Sequence, residues 1–258
     1  MKYWHSKADL QYIYGNLRSK NLAVFPKRRG PVDRVLDRLI DIATRCRMQR
    51  MQTHGFKLVV SEQVIENALV LRNLRDNDET ILDFGGFESA LPLQLSAVGY
   101  RVTVWDQRPY PFSHPNLSVL CQDLFAASLE IDKTFDVIIA ISTIEHLGLG
   151  AYGDKVVDDG DRQGVEILWN LLGGRGRMMV SVPAGKPSIQ RGYRVYDESK
   201  LVRIFPHATS ISWFMKEGRE GTWSKVGPGA VANVAYSEPY GHMPVEAIAF
   251  VICDKGAQ

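Results

Sequence analysis

The period of apolar and polar positions changes along the chain, and each change predicts a different kind of element. After Gly30-Pro31, the stretch VDRVLDRLIDIATRCRMQRM places Val32, Val35, Leu36, Leu39, Ile40 and Ala43 at helical spacing. Proline suits a first-turn position because its missing N–H would lack an intrahelical partner anyway. The spacing predicts an amphipathic helix with an arginine-rich polar face. A second helical pattern opens at Ser61, a candidate N-cap, with Ile65, Ala68, Leu69 and Leu71 apolar, and stops at Arg75-Asp76-Asn77-Asp78. Residues 1–78 therefore read as a helical lead-in or cap, and 79–258 as the main domain.

From Thr80 the pattern turns to short apolar runs separated by helices. ILDF is followed by a helix over Ser89 to Val98, then RVTVWD, LSVLC, FDVIIAIS, a helix from Gln163 to Leu172, and RMMVSVP. Such alternation predicts an α/β protein with a mostly parallel sheet covered by helices. Beyond Pro183 come a helix around Glu198 to Phe205 and strands at Thr209 to Met215 and Ala247 to Cys253. The segment 218–244, rich in Gly, Trp, Tyr and Pro, is too long for a plain hairpin turn, so it is expected to serve function or face a partner.

Composition narrows the classes. With 258 residues, 45% hydrophobic and 23% charged, the chain can bury one substantial core, which excludes disorder. Three scattered cysteines, Cys46, Cys121 and Cys253, make neither a disulfide framework nor a zinc ribbon, and no apolar run approaches the length of a membrane span. A cytoplasmic protein is expected. Residues 1–60 carry 13 Lys/Arg against 4 Asp/Glu, the rest 18 against 25. The basic part suits a phosphate-bearing substrate, nucleic acid, an anionic membrane surface or simply a solvated helix face.

The chemistry centres on ILDFGGFESALPLQLSAVGYRVTVWD. A strand ends at Asp83, a turn follows at Gly85-Gly86, a helix opens near Glu88, and a second strand ends on Asp106. Glycine lets the backbone approach a nucleoside, the helix start offers unpaired N–H groups, and an acid about 20 residues on suits ribose hydroxyls. A dinucleotide site needs an open place for pyrophosphate, but here Phe87 and Glu88 fill it. Glu88 would repel an anion and attract a cationic or zwitterionic ligand, and Asp83 could hold an ammonium group.

These residues resemble the class I S-adenosylmethionine-dependent methyltransferases. Their D-x-G-x-G-x-G motif is matched at Asp83 and Gly85, with Phe87 and Ser89 in place of the later glycines. The acid after the second strand matches Asp106, Gln122-Asp123-Leu124 stands where adenine is contacted, and FDVIIAISTIEHL resembles the fourth motif. LLGGRGRMMVSVP is similar to the strand that follows, without its proline. The resemblance covers about residues 79–253. It implies a Rossmann-like sheet, mostly parallel with the last strand antiparallel, behind an N-terminal helical cap. It also implies S-adenosylmethionine held by Asp83, Gly85, Gly86, Phe87, Glu88, Asp106, Gln107, Gln122, Asp123, Leu124, Ile141 and Ser142. ESALPLQL, RPYPFSHPNL and EHLGLGAYGD are similar to a branch tied to surface-polysaccharide and small-metabolite pathways.

For the acceptor, His146 follows the fourth strand at the edge where open α/β sheets bind ligands, and its ordinary pKa of ~6.5 suits a general base. Glu145 stands beside it to orient it or meet the donor; helix capping is the bland alternative for both. Tyr152, Asp154, Arg191, Tyr193 and Arg194 are expected to bind the acceptor, the arginines through a phosphate or carboxylate. Glu145-His146 is similar to half of an E-x-x-E-H metal motif, but Ser142 replaces its first glutamate and Asp154 to Asp161 match no calcium loop, so no metal is expected. The place of the N/D-P-P-Y/F motif of DNA aminomethyltransferases reads Ile141-Ser142-Thr143-Ile144. Oxygen methylation of a small anionic acceptor is therefore expected, with a nicotinamide oxidoreductase and a nucleic-acid-binding protein as rivals. Trp223, Tyr236, Tyr240 and His242 suit an aromatic lid or a homodimer contact.

Overall fold

The structure, a computed structural model, describes residues 61–126, 131, 133–190, 192–217, 222–236 and 245–256, with residues 35, 38, 39, 42 and 46 before them. The chain divides into two compact units between Val59 and Val60. In the first, Val35, Arg38, Leu39, Ile42 and Cys46 are helical; the rest of the basic helix lies outside the described residues. Helix α1 (Gln63–Asn73) belongs to the second unit, which thus begins before residue 79. Its inward face overlaps the expected one, with Ile65 and Leu69 packed against the core. Glu66 and Val70 are enclosed, while Leu71 is exposed and Ser61 makes no N-cap, Glu62 standing at that position.

The second unit is built on strands β1 (Thr80–Phe84), β2 (Arg101–Asp106), β3 (Leu117–Cys121), β4 (Phe135–Ile141), β5 (Leu172–Pro183), β6 (Ser188–Gln190), β7 (Tyr193–Val195), β8 (Ser210–Lys216), β9 (Trp223–Val226) and β10 (Ala247–Asp254). Eight of them form one sheet in the order β3-β2-β1-β4-β5-β10-β8-β9. The first five are parallel; β10 runs antiparallel to both β5 and β8, and β9 antiparallel to β8. The antiparallel last strand thus matches the expectation from sequence. The hairpin β6-β7 and the edge strand β9 go beyond that expectation, since runs of three or four residues carry almost no periodic signal.

Burial explains the order. Val137, Ile138, Ile139 and Ala140 of β4 and Ile81 and Leu82 of β1 are fully enclosed, as central parallel strands must be when both faces are covered. Each such aliphatic side chain contributes about 1.5–3 kcal/mol by leaving water. At the edge, β3 keeps exposed positions and only partial cover. The start of β1 is pinned by Asp136, whose carboxylate accepts from the N–H of Glu79, the N–H of Thr80 and the Thr80 hydroxyl. Helices α2 (Leu91–Ala97), α3 (Gly160–Asn170), α4 (Glu198–Ile204) and α5 (Pro228–Val231) complete the unit. Because β1, β2, β4 and β5 point the same way, Asp83, Asp106, Ser142 and Pro183 all arrive at one edge.

Candidate active site

At the end of β1, the chain turns through Gly85 with φ 78°, a left-handed conformation natural to glycine. A Cβ there would also lie 2.3 Å from Thr143 Cγ2, so Thr143 and Gly85 close on each other. A Cβ on Gly86 would meet the Asp83 carboxylate at 2.8 Å. Gly86–Glu88 then form a single 3-10 turn, and α2 starts only at Leu91, which corrects the expected helix start near Glu88.

Two carboxylates flank this turn. Asp83 is buried, its Oδ2 has no hydrogen-bond partner among the described residues, and burial together with the nearby charge of Asp106 pushes its pKa up to about 8. The second, Asp106, accepts from the Phe87 N–H at 3.2 Å and from the Arg108 N–H at 2.9 Å. The Arg108 guanidinium also turns back onto Asp106, Nε at 3.1 Å, reaches Glu88 at 3.3 Å, and lies over the rings of Phe87 and Tyr152. The acid expected to hold ribose hydroxyls is thus already engaged by an arginine two residues on. Sequence reasoning passed over Arg108, although a base so close to the acid at a strand end was the available signal.

The other expected donor-side residues are distributed unevenly. Gln122 N–H donates to the Asp106 carbonyl, and Gln107 Nε2 donates to the Tyr152 carbonyl, so both border the turn. Asp123 accepts from the Phe125 N–H and fixes its own loop, while Leu124 is buried in the core. Ile141 ends β4 half-buried, and Ser142 after it has φ 47°, unusual for a side-chain-bearing residue. Its hydroxyl donates to Glu66 Oε1 at 2.8 Å, and the Ser181 hydroxyl donates to the same oxygen at 2.7 Å. Glu66 on α1 therefore holds the exits of β4 and β5 together. Nothing in the helical pattern of 61–74 marked Glu66 as the carboxylate that would be enclosed.

Beyond Ser142, Ile144–His146 make another 3-10 turn. Glu145 is buried, and that burial, with Glu66 and Glu62 nearby, pushes its pKa well up from the usual carboxylate range. His146 Nδ1 bonds the Gly192 carbonyl in the β6-β7 turn, which requires Nδ1 to carry the proton and leaves a lone pair on Nε2. Burial lowers the His146 pKa and keeps the ring neutral, against the opposing pull of the Gly192 bond and Asp154. Nε2 lies 3.9 Å from Glu145 Oε1, and the ring stands edge-on to Tyr152 and Tyr193. Asp154 accepts from the Tyr152 N–H.

Arg194 departs from its expected place at an anionic acceptor. It is buried, donating to the carbonyls of Glu145 and Leu147 and lying 3.5 Å from Asp161, which also accepts from the Tyr196 hydroxyl. These partners tie the His146 turn to β7 and α3 and use the guanidinium. Arg191, Tyr240 and His242 lie outside the described residues. Tyr236 bonds the carbonyls of Ala184 and Ala247 through its hydroxyl, so it fastens the ends of β5 and β10 rather than forming a free lid. Among the described residues, no three His, Cys, Asp or Glu side chains gather as a metal would require, and no helix is long and apolar enough to cross a membrane.

No curated protein matches the chain significantly by sequence. A family model described as a Caenorhabditis protein of unknown function, DUF268, matches residues 111–222. Among solved structures, the 1,6-didemethyltoxoflavin N1-methyltransferase of Burkholderia thailandensis, with 1,6-didemethyltoxoflavin and S-adenosylhomocysteine bound, is similar. It shares 15% identity, with 91% of this chain and 94% of that one covered, at a TM-score of 0.52. The N-methyltransferase NodS of Bradyrhizobium japonicum WM9 aligns at 14% identity over 75% of this chain and 96% of its own, TM-score 0.49. Strand order, the antiparallel β10 and the first of these likenesses agree: the chain has the Rossmann-like fold of the class I S-adenosylmethionine-dependent methyltransferases.

Proposed function

We propose that the protein is an S-adenosylmethionine-dependent methyltransferase that methylates an oxygen of a small, anionic acceptor. The observation that carries this reading is the pair of buried carboxylates around a glycine turn, one of them with an oxygen that has no partner among the described residues. Asp83 suits the ammonium of the cofactor's methionine part, because a cation would restore the charge that burial suppresses. Asp106 suits the ribose hydroxyls once the Arg108 side chain moves off it, and Gly85 and Gly86 keep the backbone bare. A nicotinamide dinucleotide fits worse, since its pyrophosphate would meet Asp83 and Glu88.

The cofactor supplies an electrophilic methyl group on a sulfonium. The chain then has to align the acceptor and take its proton. His146 suits proton removal, because its Nδ1–H is fixed on Gly192, its Nε2 lone pair is left over, and it is neutral near pH 7. Glu145, enclosed beside it with its pKa raised by burial, suits a role in holding the turn rather than in contacting the acceptor. Tyr152 and Tyr193 flank the imidazole and suit the walls of the acceptor site.

Calorimetric titration with S-adenosylhomocysteine tests this. Asp106→Ala should weaken binding about 10- to 100-fold, the loss of one or two charge-assisted hydrogen bonds. At pH 7 binding should release a proton, seen as a buffer-dependent heat, because Asp83 must ionise to hold an ammonium; Asp83→Asn should abolish that release. Affinity should rise as pH approaches about 8, the pKa of Asp83 before binding. Undiminished binding to a folded Asp106→Ala protein, or preference for a nicotinamide dinucleotide, would sink the reading.

A further inference from the structure

Two other buried atoms have no hydrogen-bond partner among the described residues, and neither belongs to the site above: Lys216 Nζ and Trp223 Nε1. Lys216 ends β8 and is 6% exposed; Trp223 opens β9 directly across from it, in register. Cross-strand partners place their side chains on the same face, with Cβ atoms about 5 Å apart. On that face Phe214, two residues before Lys216, is buried with Ile248 and Phe250, and Trp223 packs against the same cluster. The two side chains therefore leave neighbouring positions on one face of the sheet, beside an apolar wall.

Both groups are donors only: three N–H bonds on the lysine, one on the indole, and no lone pair on either. An ammonium enclosed without a partner costs several kcal/mol, which a well-placed anion offsets. A neutral acceptor oxygen would satisfy the indole and leave the charge uncompensated. The group that answers two such neighbouring donors is a carboxylate or a phosphate.

Their place in the sheet connects them to the reaction. Since β10 is antiparallel to both β5 and β8, β8 points the same way as β5, and Lys216 reaches the edge where Asp83, Asp106 and His146 stand. We infer that Lys216 and Trp223 form an anion-binding end of the acceptor site, taking a carboxylate or phosphate carried by the methylated molecule. This rests on the methyltransferase reading. In the strand order β4-β5-β10-β8, three spacings separate the end of β4 from Lys216, about 14 Å at the usual interstrand distance. An acceptor that touched both places would be extended, with its anionic group at one end and the methylated oxygen at the other. The expected anion contact thereby moves from Arg194, which the Asp161 pair consumes, to β8 and β9.

The test uses the full chain, with and without saturating S-adenosylhomocysteine, titrated with inorganic phosphate and separately with glucuronate at constant ionic strength. The wild-type melting temperature should rise saturably with at least one of them, and which one responds distinguishes phosphate from carboxylate. Lys216→Met should weaken that response about tenfold or more, and Trp223→Phe about two- to tenfold, as expected for losing a charged and a neutral donor. Without added anion, Lys216→Met should melt no lower than wild type, because it replaces an uncompensated buried charge by an apolar chain of similar length. A wild-type protein indifferent to both anions would overturn the inference. So would a Lys216→Met protein that melts lower yet responds to anions as wild type does, since Lys216 would then be a structural ion pair. Failure of S-adenosylhomocysteine to bind the wild type would instead overturn the methyltransferase reading, and the anion response measured without it would still stand.

Discussion

The two halves of the edge that carries the site are built from contacts of very different reach. In the half over β1 and β2, everything from Asp83 to Arg108 lies within one strand-turn-helix-strand unit, and the Phe87 N–H meets Asp106 across only 19 residues. In the half over β4 and β5, His146 is fixed by Gly192, Ser142 by Glu66 and Ser181 by Glu66, at separations of 46, 76 and 115 residues. The first half can be assembled by local backbone geometry. The second exists only after distant segments have packed, and so its residues are more exposed to changes elsewhere in the molecule.

The strongest way to break this contrast is at His146. His146→Ala should lower kcat by about 10²–10⁴ for a hydroxyl acceptor while leaving S-adenosylhomocysteine affinity nearly intact. In the wild type the rate should climb from acid pH with a midpoint below the ordinary histidine value, because burial lowers the pKa and the base must be unprotonated. A flat pH profile with an active His146→Ala enzyme would mean that the acceptor arrives already ionised and alignment does the work.

The same contrast explains what could be read from the chain before it folded. Asp83, Gly85, Gly86 and Asp106 were legible because glycine at a left-handed turn and an acid at a strand end are local requirements. The sheet was legible because runs such as FDVIIAI have one natural home between two covered faces. Arg194 misled, since an arginine at the ligand edge looks the same in sequence whether it faces a substrate or bonds the carbonyls of Glu145 and Leu147. Glu66 and Lys216 were silent for a similar reason: nothing in a helix or strand pattern marks which charged residue will be enclosed.

A second, smaller effect tests the reach of α1. Glu66→Ala strips the half-buried Ser142 and the buried Ser181 hydroxyls of their common acceptor, and should cost about 2–4 kcal/mol, or about 5–10 °C in melting temperature. Glu66→Gln keeps a carbonyl oxygen for both and should recover part of that loss, together with cofactor affinity. If both variants melt like wild type, the tie between α1 and the strand ends is decorative.

The smallest expected effect sharpens the local half. Arg108 is about one-third exposed and pairs with Asp106 and Glu88, so displacing it should be cheap. Arg108→Met should tighten S-adenosylhomocysteine binding about two- to fivefold by removing the side chain that competes for Asp106. Weaker binding in that variant would instead make Arg108 part of the cofactor's grip.

The bond from Ser142 to Glu66 also constrains how such a chain can diverge. A glutamate introduced at 142 would bring another carboxylate into an enclosed space that already holds Glu66 and Glu145, where like charges repel strongly. A carboxylate at 142 is therefore expected to be tolerated only where position 66 has lost its own. A loss at one position without a gain at the other would leave Ser181 with nothing to donate to, and a lineage in that state would be under pressure to replace the serine as well.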